Sequence, residues 1–239
     1  MPRVLIIHGF PQRFSKDHIL YSFFKPRGYD ITAPSLFSGF TFKLENCIGH
    51  LIKSLHGNTP DVIVGLSLGG LIAPHIAEKY PGSKLVLVGT GTRFSPPSKL
   101  VKLIVTHRKI SLILFSIIKI CPKSLLYFLY KSINPHITDA LGTPTYHKDM
   151  EKNIVSLTQI SNSKLNQILS FITTIDNQDI CSRLSNPTLI LGAQYDNMIG
   201  KSESILLSQK IINSKVDVIE ADHFNVLSLD SLRIIDAFL

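Results

Sequence analysis

Short apolar runs alternate with stretches of helical length along most of the chain. The runs are rich in Val, Ile and Leu without strict polar–apolar alternation, which is typical of strands buried on both faces. A helix is predicted over Leu68–Tyr80, because the sequence after it is Pro81-Gly82. This alternation predicts βαβ units, and hence an α/β fold with a mostly parallel sheet of about six strands flanked by helices. The predicted strands are Arg3–Ile7, Asp30–Ala33, Asp61–Val64, Lys84–Val88, Thr188–Leu191 and Val216–Ile219.

One long interval departs from this rhythm. After Gly89–Thr92 and the pair Pro96-Pro97, the sequence runs to about residue 160 without a convincing strand. It has the pattern of several helices punctuated by prolines. We therefore expect residues 94–160 to form a helical cap inserted into a core domain made of residues 1–93 and 161–239.

The basic residues are concentrated in the same part of the chain. The 239 residues carry a formal net charge of +8, yet no Asp or Glu occurs between Glu78 and Asp139. That interval holds ten Lys and Arg residues, and the rest of the chain holds 15 basic and 17 acidic residues. The basic residues are interleaved with Leu and Ile, which argues against a nucleic-acid-binding track. They form either the solvated face of a lid or a rim that attracts an acidic partner.

Composition also bears on the compartment. Three widely spaced cysteines without a CxxC pair exclude a disulfide framework and a zinc ribbon, and we expect them to be reduced in the cytoplasm. The segment Met1–Gly9 lacks the apolar region of a signal peptide. The most apolar segment, Ile110–Tyr130, is interrupted by two lysines and a proline, so no membrane span is expected.

The strongest chemical motif is Gly-Leu-Ser-Leu-Gly-Gly at Gly65–Gly70, between a predicted strand and a predicted helix. A G-x-S-x-G pattern at such a junction is typical of a nucleophile elbow, whose turn is too tight for side chains near the serine. The helix N-terminus behind Ser67 presents free N–H groups to a developing oxyanion. Ser67 is therefore the candidate nucleophile, and the alternative is a glycine-rich turn with an incidental serine.

A nucleophilic serine needs a base, and the base needs a carboxylate to orient it. His223 follows the last predicted strand, and Asp196 follows the strand before it. Asp222 is adjacent to His223, but neighbouring side chains usually point apart. Asp196 is therefore the preferred carboxylate, although it has an alternative role as the cap of the following turn.

On these motifs the sequence resembles the α/β-hydrolase family, in particular small serine carboxylesterases with a helical cap. The resemblance extends over residues 3–239 and is weakest in the cap. The chain order Ser67, Asp196, His223 is the nucleophile–acid–base order of that family. It implies hydrolysis of a carboxylic ester through an acyl-serine intermediate, with no metal or organic cofactor.

The segment His8-Gly9-Phe10 after the first strand is a further landmark of the family. The resemblance implies an oxyanion hole formed by the backbone N–H groups of Phe10 and Leu68. It also implies that His8, Gly9, Phe10 and Leu68 contact the substrate.

The sequence departs from the family at its start, where members have two further strands and this sequence has only Met1-Pro2. We therefore expect the sheet to lack the usual antiparallel start and Asp30–Ala33 to be an edge strand.

Several activities use the same machinery. The substrate is expected to be a small-molecule ester or acyl compound, and thioester and C–C bond hydrolysis are alternatives. The resemblance also extends to proteins that demethylate an acyl chain on an acidic acyl carrier protein, a partner that suits the basic cap. A non-catalytic, ligand-binding relative of the family is the alternative outside the enzymes.

Overall fold

The computed structural model describes residues 1–11, 13–122, 124–126 and 152–239. Its strands form one sheet in the order β2-β1-β3-β4-β5-β6, and every neighbouring pair is parallel. The expected parallel sheet of six strands is confirmed. The strands are β1 (Arg3–Ile7), β2 (Asp30–Thr32), β3 (Val62–Leu66), β4 (Lys84–Val88), β5 (Thr188–Ala193) and β6 (Ser214–Ile219).

Helices connect the strands and cover both faces of the sheet. The predicted helix after β3 begins at Leu68 as expected but ends at Ala77, because the following residues form a turn. The helices are α1 (Ile19–Phe24), α2 (Leu44–Ser54), α3 (Leu68–Ala77), α4 (Lys99–Thr106), α5 (Arg108–Ile120), α6 (Asn162–Thr174), α7 (Gln178–Arg183), α8 (Lys201–Lys210) and α9 (Leu229–Phe238). Residues 124–126 and 152–158 are also helical.

The core divides into two apolar layers, one on each face of the sheet. Leu5 and Ile7 of β1 belong to the layer that contains residues of α2 and α3. Val4 and Ile6 of the same strand belong to the layer that contains residues of α1 and α9. Successive side chains of a strand point to opposite faces. A continuous apolar run is therefore the pattern that a strand covered on both sides requires.

The strand β2 lies at one edge of the sheet, beside β1. This agrees with the edge position expected for Asp30–Ala33. The strand is only three residues long, and its side chains are exposed or half-buried. A short edge strand with a charged residue offers little surface for pairing with another chain.

The chain between β4 and β5 forms a helical excursion in the part that the structure describes. It leaves the core domain near Arg93 and returns near Asp176, where an isolated antiparallel bridge joins these two residues. Phe115 of α5 packs in an apolar cluster with Leu165 and Leu169 of α6. Since α6 also contributes Phe171 to the main core, it ties the excursion to the sheet domain.

The cap boundaries of residues 94–160 stay a proposal, and the helices expected over residues 127–151 lie outside the described residues.

The three cysteines, Cys47, Cys121 and Cys181, are free thiols. Burial raises the pKa of Cys47 and of Cys181 to about 12, so both are unreactive near neutral pH. Within the described ranges, no helix combines the length and apolar character that crossing a membrane requires.

Candidate active site

Ser67 is the single residue between β3, which ends at Leu66, and α3, which begins at Leu68. Its backbone N–H still donates to the carbonyl of Val88 on the neighbouring strand, at 2.9 Å. Its own carbonyl already accepts from the N–H of Gly70 at the start of the helix. To change direction within one residue, Ser67 takes φ of +48° and ψ of −112°. Such a backbone costs a non-glycine residue on the order of 1–3 kcal/mol and is characteristic of functional sites.

Two glycines make this turn possible. A Cβ atom at Gly65 would lie 2.6 Å from the Cβ of Ala73 and 2.8 Å from the Cα of Gly70. A Cβ atom at Gly69 would overlap the carbonyl group of Ile7 at the end of β1. The helix therefore approaches both strands so closely that side chains at these two positions have no room. This close approach explains why both glycines of the G-x-S-x-G pattern are needed.

Ser67, His223 and Asp196 form a continuous chain of hydrogen bonds. The Oγ of Ser67 lies 2.9 Å from Nε2 of His223, and Nδ1 of His223 lies 2.8 Å from Oδ2 of Asp196. A carboxylate accepts and does not donate, so the ring proton of neutral His223 belongs on Nδ1. Nε2 is then free to accept the proton of the Ser67 hydroxyl. The structure thus brings together the three residues that the sequence singled out.

Asp196 is held as an ionised acceptor. Its Oδ1 accepts hydrogen bonds from the backbone N–H groups of Met198 at 2.7 Å and Ile199 at 2.8 Å. Burial acts to raise the pKa of this carboxyl, but the charge and hydrogen bond of His223, with the two N–H donors, outweigh it. The pKa of Asp196 therefore lies below its ordinary value. Because both of its oxygens accept hydrogen bonds, the carboxylate is held in one position and stays ionised.

The loop after β1 lies against the serine. A Cβ atom at Gly9 would be 3.2 Å from the Cβ of Ser67. Two backbone N–H groups border this contact, one on Phe10 and one on Leu68. Within the described residues, neither N–H has an acceptor, and Leu68 is the first residue of α3, whose dipole adds positive character. That these two donors bind an oxygen atom of the substrate stays a proposal.

The hydrogen bonds of His8 are made within the protein, and its expected contact with the substrate stays a prediction. Its ring is buried, and Nε2 accepts from the N–H of Leu36 at 2.9 Å. The ring proton therefore lies on Nδ1, which donates to the carbonyl of Gly9 at 2.8 Å. Burial lowers the pKa of His8 to about 4, so the ring is neutral near pH 7. With both nitrogens engaged, His8 supports the loop, and we propose that its role is to position Phe10.

The sequence did not point to the apolar residues that gather around Phe10. The ring of Phe10 is 6.0 Å from that of Phe37, edge to face. Both rings pack against a buried cluster that includes Phe115 of α5, and Leu112 of the same helix also packs against it. These residues come from separate elements and share no spacing, so only the fold reveals their proximity. Gly89 was also missed as a site residue, although a Cβ there would lie 3.6 Å from the ring of His223.

Solved structures with the same fold match over nearly the whole chain. The esterase EaEST from Exiguobacterium antarcticum has a TM-score of 0.73 at 16% identity, covering 100% of this chain and 91% of that one. MenH from S. aureus has a TM-score of 0.71 at 18% identity, covering 100% and 93%. The enol-lactonase from Burkholderia xenovorans LB400 has a TM-score of 0.70 at 13% identity, covering 99% and 90%. At these identities, the likeness shows a shared fold.

The fold and its relatives define a hydrolase of the α/β-hydrolase class, which confirms the resemblance noted in the sequence. The family described as serine aminopeptidase, S33, matches residues 37–224, and the chain belongs to this family. The matched range includes Ser67, Asp196 and His223. No curated protein sequence matches the chain.

Proposed function

We propose that this protein is a serine hydrolase that cleaves carboxylic esters through an acyl-enzyme intermediate. The observation that supports this most directly is the unbroken hydrogen-bond chain from Ser67 through His223 to Asp196. The two free N–H groups of Phe10 and Leu68 beside it supply the second requirement of acyl transfer.

Acylation begins with attack of the Ser67 Oγ on the carbonyl carbon of the ester. The Nε2 of His223 takes the hydroxyl proton, and Asp196 stabilises the imidazolium that forms. The carbonyl oxygen becomes an oxyanion, which accepts hydrogen bonds from the N–H groups of Phe10 and Leu68. The intermediate then collapses, the bond to the alkoxy oxygen breaks, and His223 returns its proton to the departing alcohol.

Deacylation repeats these steps with water in place of serine. His223 removes a proton from the water as its oxygen attacks the acyl carbon, and the same two N–H groups bind the second oxyanion. Collapse releases the carboxylic acid and returns the proton to Ser67. No atom or electron beyond ester and water is consumed.

We infer that the acyl part of the substrate is apolar. Phe10 packs against the apolar cluster that contains Phe115, and so do Phe37, Leu112 and Ile172. Apolar surface next to the oxyanion donors binds an alkyl or aryl acyl group by excluding water.

The description of the family raises aminopeptidase activity as a second candidate. A peptide N-terminus is a cation, and an unpaired carboxylate would favour its binding. Glu203 accepts a hydrogen bond from Thr92 and lies 3.6 Å from Arg93, so it is already paired. The sequence between Glu78 and Asp139 contains no acid at all. These charges favour a neutral or anionic substrate over a cationic one.

Three finer expectations stay predictions. Thioester or C–C bond hydrolysis would use the same proton transfers. An acidic acyl carrier protein would present the substrate to the basic residues of the cap. A cytoplasmic location is consistent with three free thiols. A relative that binds ligands without turnover is distinguished from all of these by a direct assay.

The test compares four substrate classes on one enzyme preparation: p-nitrophenyl acyl esters, acyl-CoA thioesters, a vinylogous diketone for C–C cleavage, and amino-acid p-nitroanilides. We expect the esters to give the highest kcat/KM and the anilides to give none. Ser67→Ala should abolish turnover while the protein stays folded. A fluorophosphonate should add once per chain, on Ser67. A label on another serine, or hydrolysis of the anilides alone, would contradict the proposal.

A further inference from the structure

The helix α5 presents aliphatic side chains to solvent along its whole length. Ile110, Ile113, Ile117 and Ile120 recur at intervals of three and four residues, which places them on one face of the helix. Their exposed fractions range from 42% to 84%. In α4, two leucines are exposed to a similar extent, Leu100 at 56% and Leu103 at 50%. We call these six residues the outer face.

The side of α5 opposite the outer face is packed against the rest of the protein. Phe115 and Ser111 of α5 are buried, and Phe115 packs with α6 and near Phe10. At 100° per residue, this buried side lies opposite the stripe of isoleucines. The helix therefore has two apolar faces. One face packs beside the proposed active site, and the other faces water, where it costs free energy unless something covers it.

The charged side chains on the two helices that carry the outer face have a single sign. Lys99 and Lys102 are exposed on α4, and Arg108 and Lys109 are exposed at the start of α5. No Asp or Glu lies within either helix or between them. A partner for this surface must therefore be apolar at its centre and negatively charged at its rim.

We propose that the outer face docks onto the surface of a lipid bilayer that contains anionic lipids. An amphipathic helix with aliphatic residues on one side and lysines at the flanks lies in the interface plane, with its apolar side among the acyl chains. The four-carbon stems of lysine follow the apolar surface while their ammonium groups reach the headgroups. At 13 residues, α5 is about 20 Å long. This length suits a helix that lies on the bilayer.

The observations favour lipid over a protein partner. Centres of protein interfaces are enriched in aromatic residues that fill pockets. The outer face instead contains only leucine and isoleucine, which bury area without directional contacts. A second copy of the chain also fits poorly, because two such faces would bring like charges together. An acidic carrier protein would complement the charge, and its binding is measured as a separate outcome of the test below.

The proposal does not depend on the proposed catalytic activity, because membrane binding is measured without turnover. The full chain is mixed with phosphatidylcholine vesicles containing about 30 mol% phosphatidylglycerol, and the bound fraction is measured by sedimentation. We expect binding to these vesicles and little binding to vesicles of phosphatidylcholine alone. We also expect binding to weaken with added salt.

Two pairs of double variants locate the contact. Ile113→Glu with Ile117→Glu should abolish binding. The matched control, Ile212→Glu with Leu229→Glu, makes the same change at aliphatic residues that are 90% and 71% exposed elsewhere. Lys102→Glu with Lys109→Glu should weaken binding by about thirtyfold or more, since each basic residue near an anionic surface contributes about 1 kcal/mol. Lys25→Glu with Lys53→Glu is the control for net charge, since both lysines are exposed and outside the excursion.

Thermal melting and hydrolysis of a short soluble ester show whether each variant stays folded. The proposal is overturned if the wild-type chain does not sediment with anionic vesicles. It is equally overturned if the outer-face variants and their controls bind alike. If Ile113→Glu with Ile117→Glu instead changes the mass in solution, or binding to an acidic acyl carrier protein, the face is a protein interface. If the wild-type protein does not hydrolyse esters, only the catalytic proposal is contradicted.

Discussion

The carboxylate of Asp222 is bound by Asn225, although the imidazole of His223 is its immediate neighbour in sequence. Oδ2 of Asp222 accepts from the side-chain amide of Asn225 at 2.8 Å, and Oδ1 accepts from the N–H of Phe224 at 2.7 Å. Asp222 therefore shapes the turn that carries His223. The Nδ1 of His223 contacts Asp196, 27 residues earlier in the chain. The aspartate next to His223 in sequence is therefore not the one that contacts its Nδ1.

This geometry predicts unequal effects of two identical substitutions. Asp196→Asn should lower kcat by about 10⁴, because an amide in this position favours the wrong tautomer of His223. Asp222→Asn keeps an oxygen acceptor for the backbone N–H groups and should lower kcat far less. Steady-state hydrolysis of one p-nitrophenyl ester by both variants gives the comparison. A larger loss in Asp222→Asn would reverse our assignment of the carboxylate.

The close approach of α3 to β1 predicts a second pair of outcomes. Gly69→Ala should abolish activity and lower the melting temperature strongly, since the added methyl group would overlap the carbonyl of Ile7. Gly82→Ala is the matched control, because nothing lies within 4 Å of its Cβ position and its φ is not positive. We expect this control to be neutral or slightly stabilising, through lower entropy of the unfolded chain. Equal melting temperatures for the two variants would show that the elbow tolerates a side chain there.

The sequence predicted the sheet well, because each buried parallel strand is a continuous apolar run in the sequence. Each strand of β1 to β6 overlaps its predicted apolar run, and β1 and β4 match it residue for residue. The site residues were also traceable, since parallel strands end at one edge of the sheet and the chemistry-bearing residues follow three of them. Ser67 follows β3, Asp196 follows β5 and His223 follows β6.

The contacts between side chains of different elements could not be predicted in this way. The position of Leu36, whose N–H fixes the tautomer of His8, depends on a loop without any periodic pattern. The packing of Phe10 and Leu112 against one cluster depends on how α5 is oriented, and helix packing angles cannot be inferred from hydrophobic spacing. The exposure of the outer face could not be predicted from the sequence either. An amphipathic pattern shows that a helix has an apolar side but does not show which side is buried.

The buried His8 and the half-buried His18 predict that the protein loses stability in weak acid. Burial lowers the pKa of His8 and of His18 from 6.5 to about 4. As pH falls below 6.5, the unfolded chain binds protons at these positions before the folded chain does. Their contribution to the free energy of unfolding is therefore fully present above pH 6.5 and is lost between pH 6.5 and about 4. The loss at pH 5 is on the order of 2 kcal/mol for the buried ring of His8.

One variant isolates the contribution of His18. This residue is the N-cap of α1, and its Nδ1 accepts from the N–H of Leu20 at 3.2 Å. Asparagine is a preferred N-cap that does not titrate, so His18→Asn should keep the cap and reduce the loss of stability between pH 7 and pH 5. Urea unfolding at both pH values measures this difference. A slope identical to that of the wild-type protein would show that His18 does not titrate in this range.

The last prediction concerns the two faces of α5 and the length of the acyl chain. Leu112 packs in the cluster near Phe10, whereas the adjacent Ile113 points to solvent. If this cluster lines the acyl pocket, Leu112→Trp should fill it and lower kcat/KM for p-nitrophenyl octanoate by about tenfold or more, with little change for the acetate. Ile113→Trp adds a similar bulk on the other side and should leave the octanoate-to-acetate ratio unchanged. Equal ratios in both variants, with both proteins folded, would place the acyl pocket away from α5.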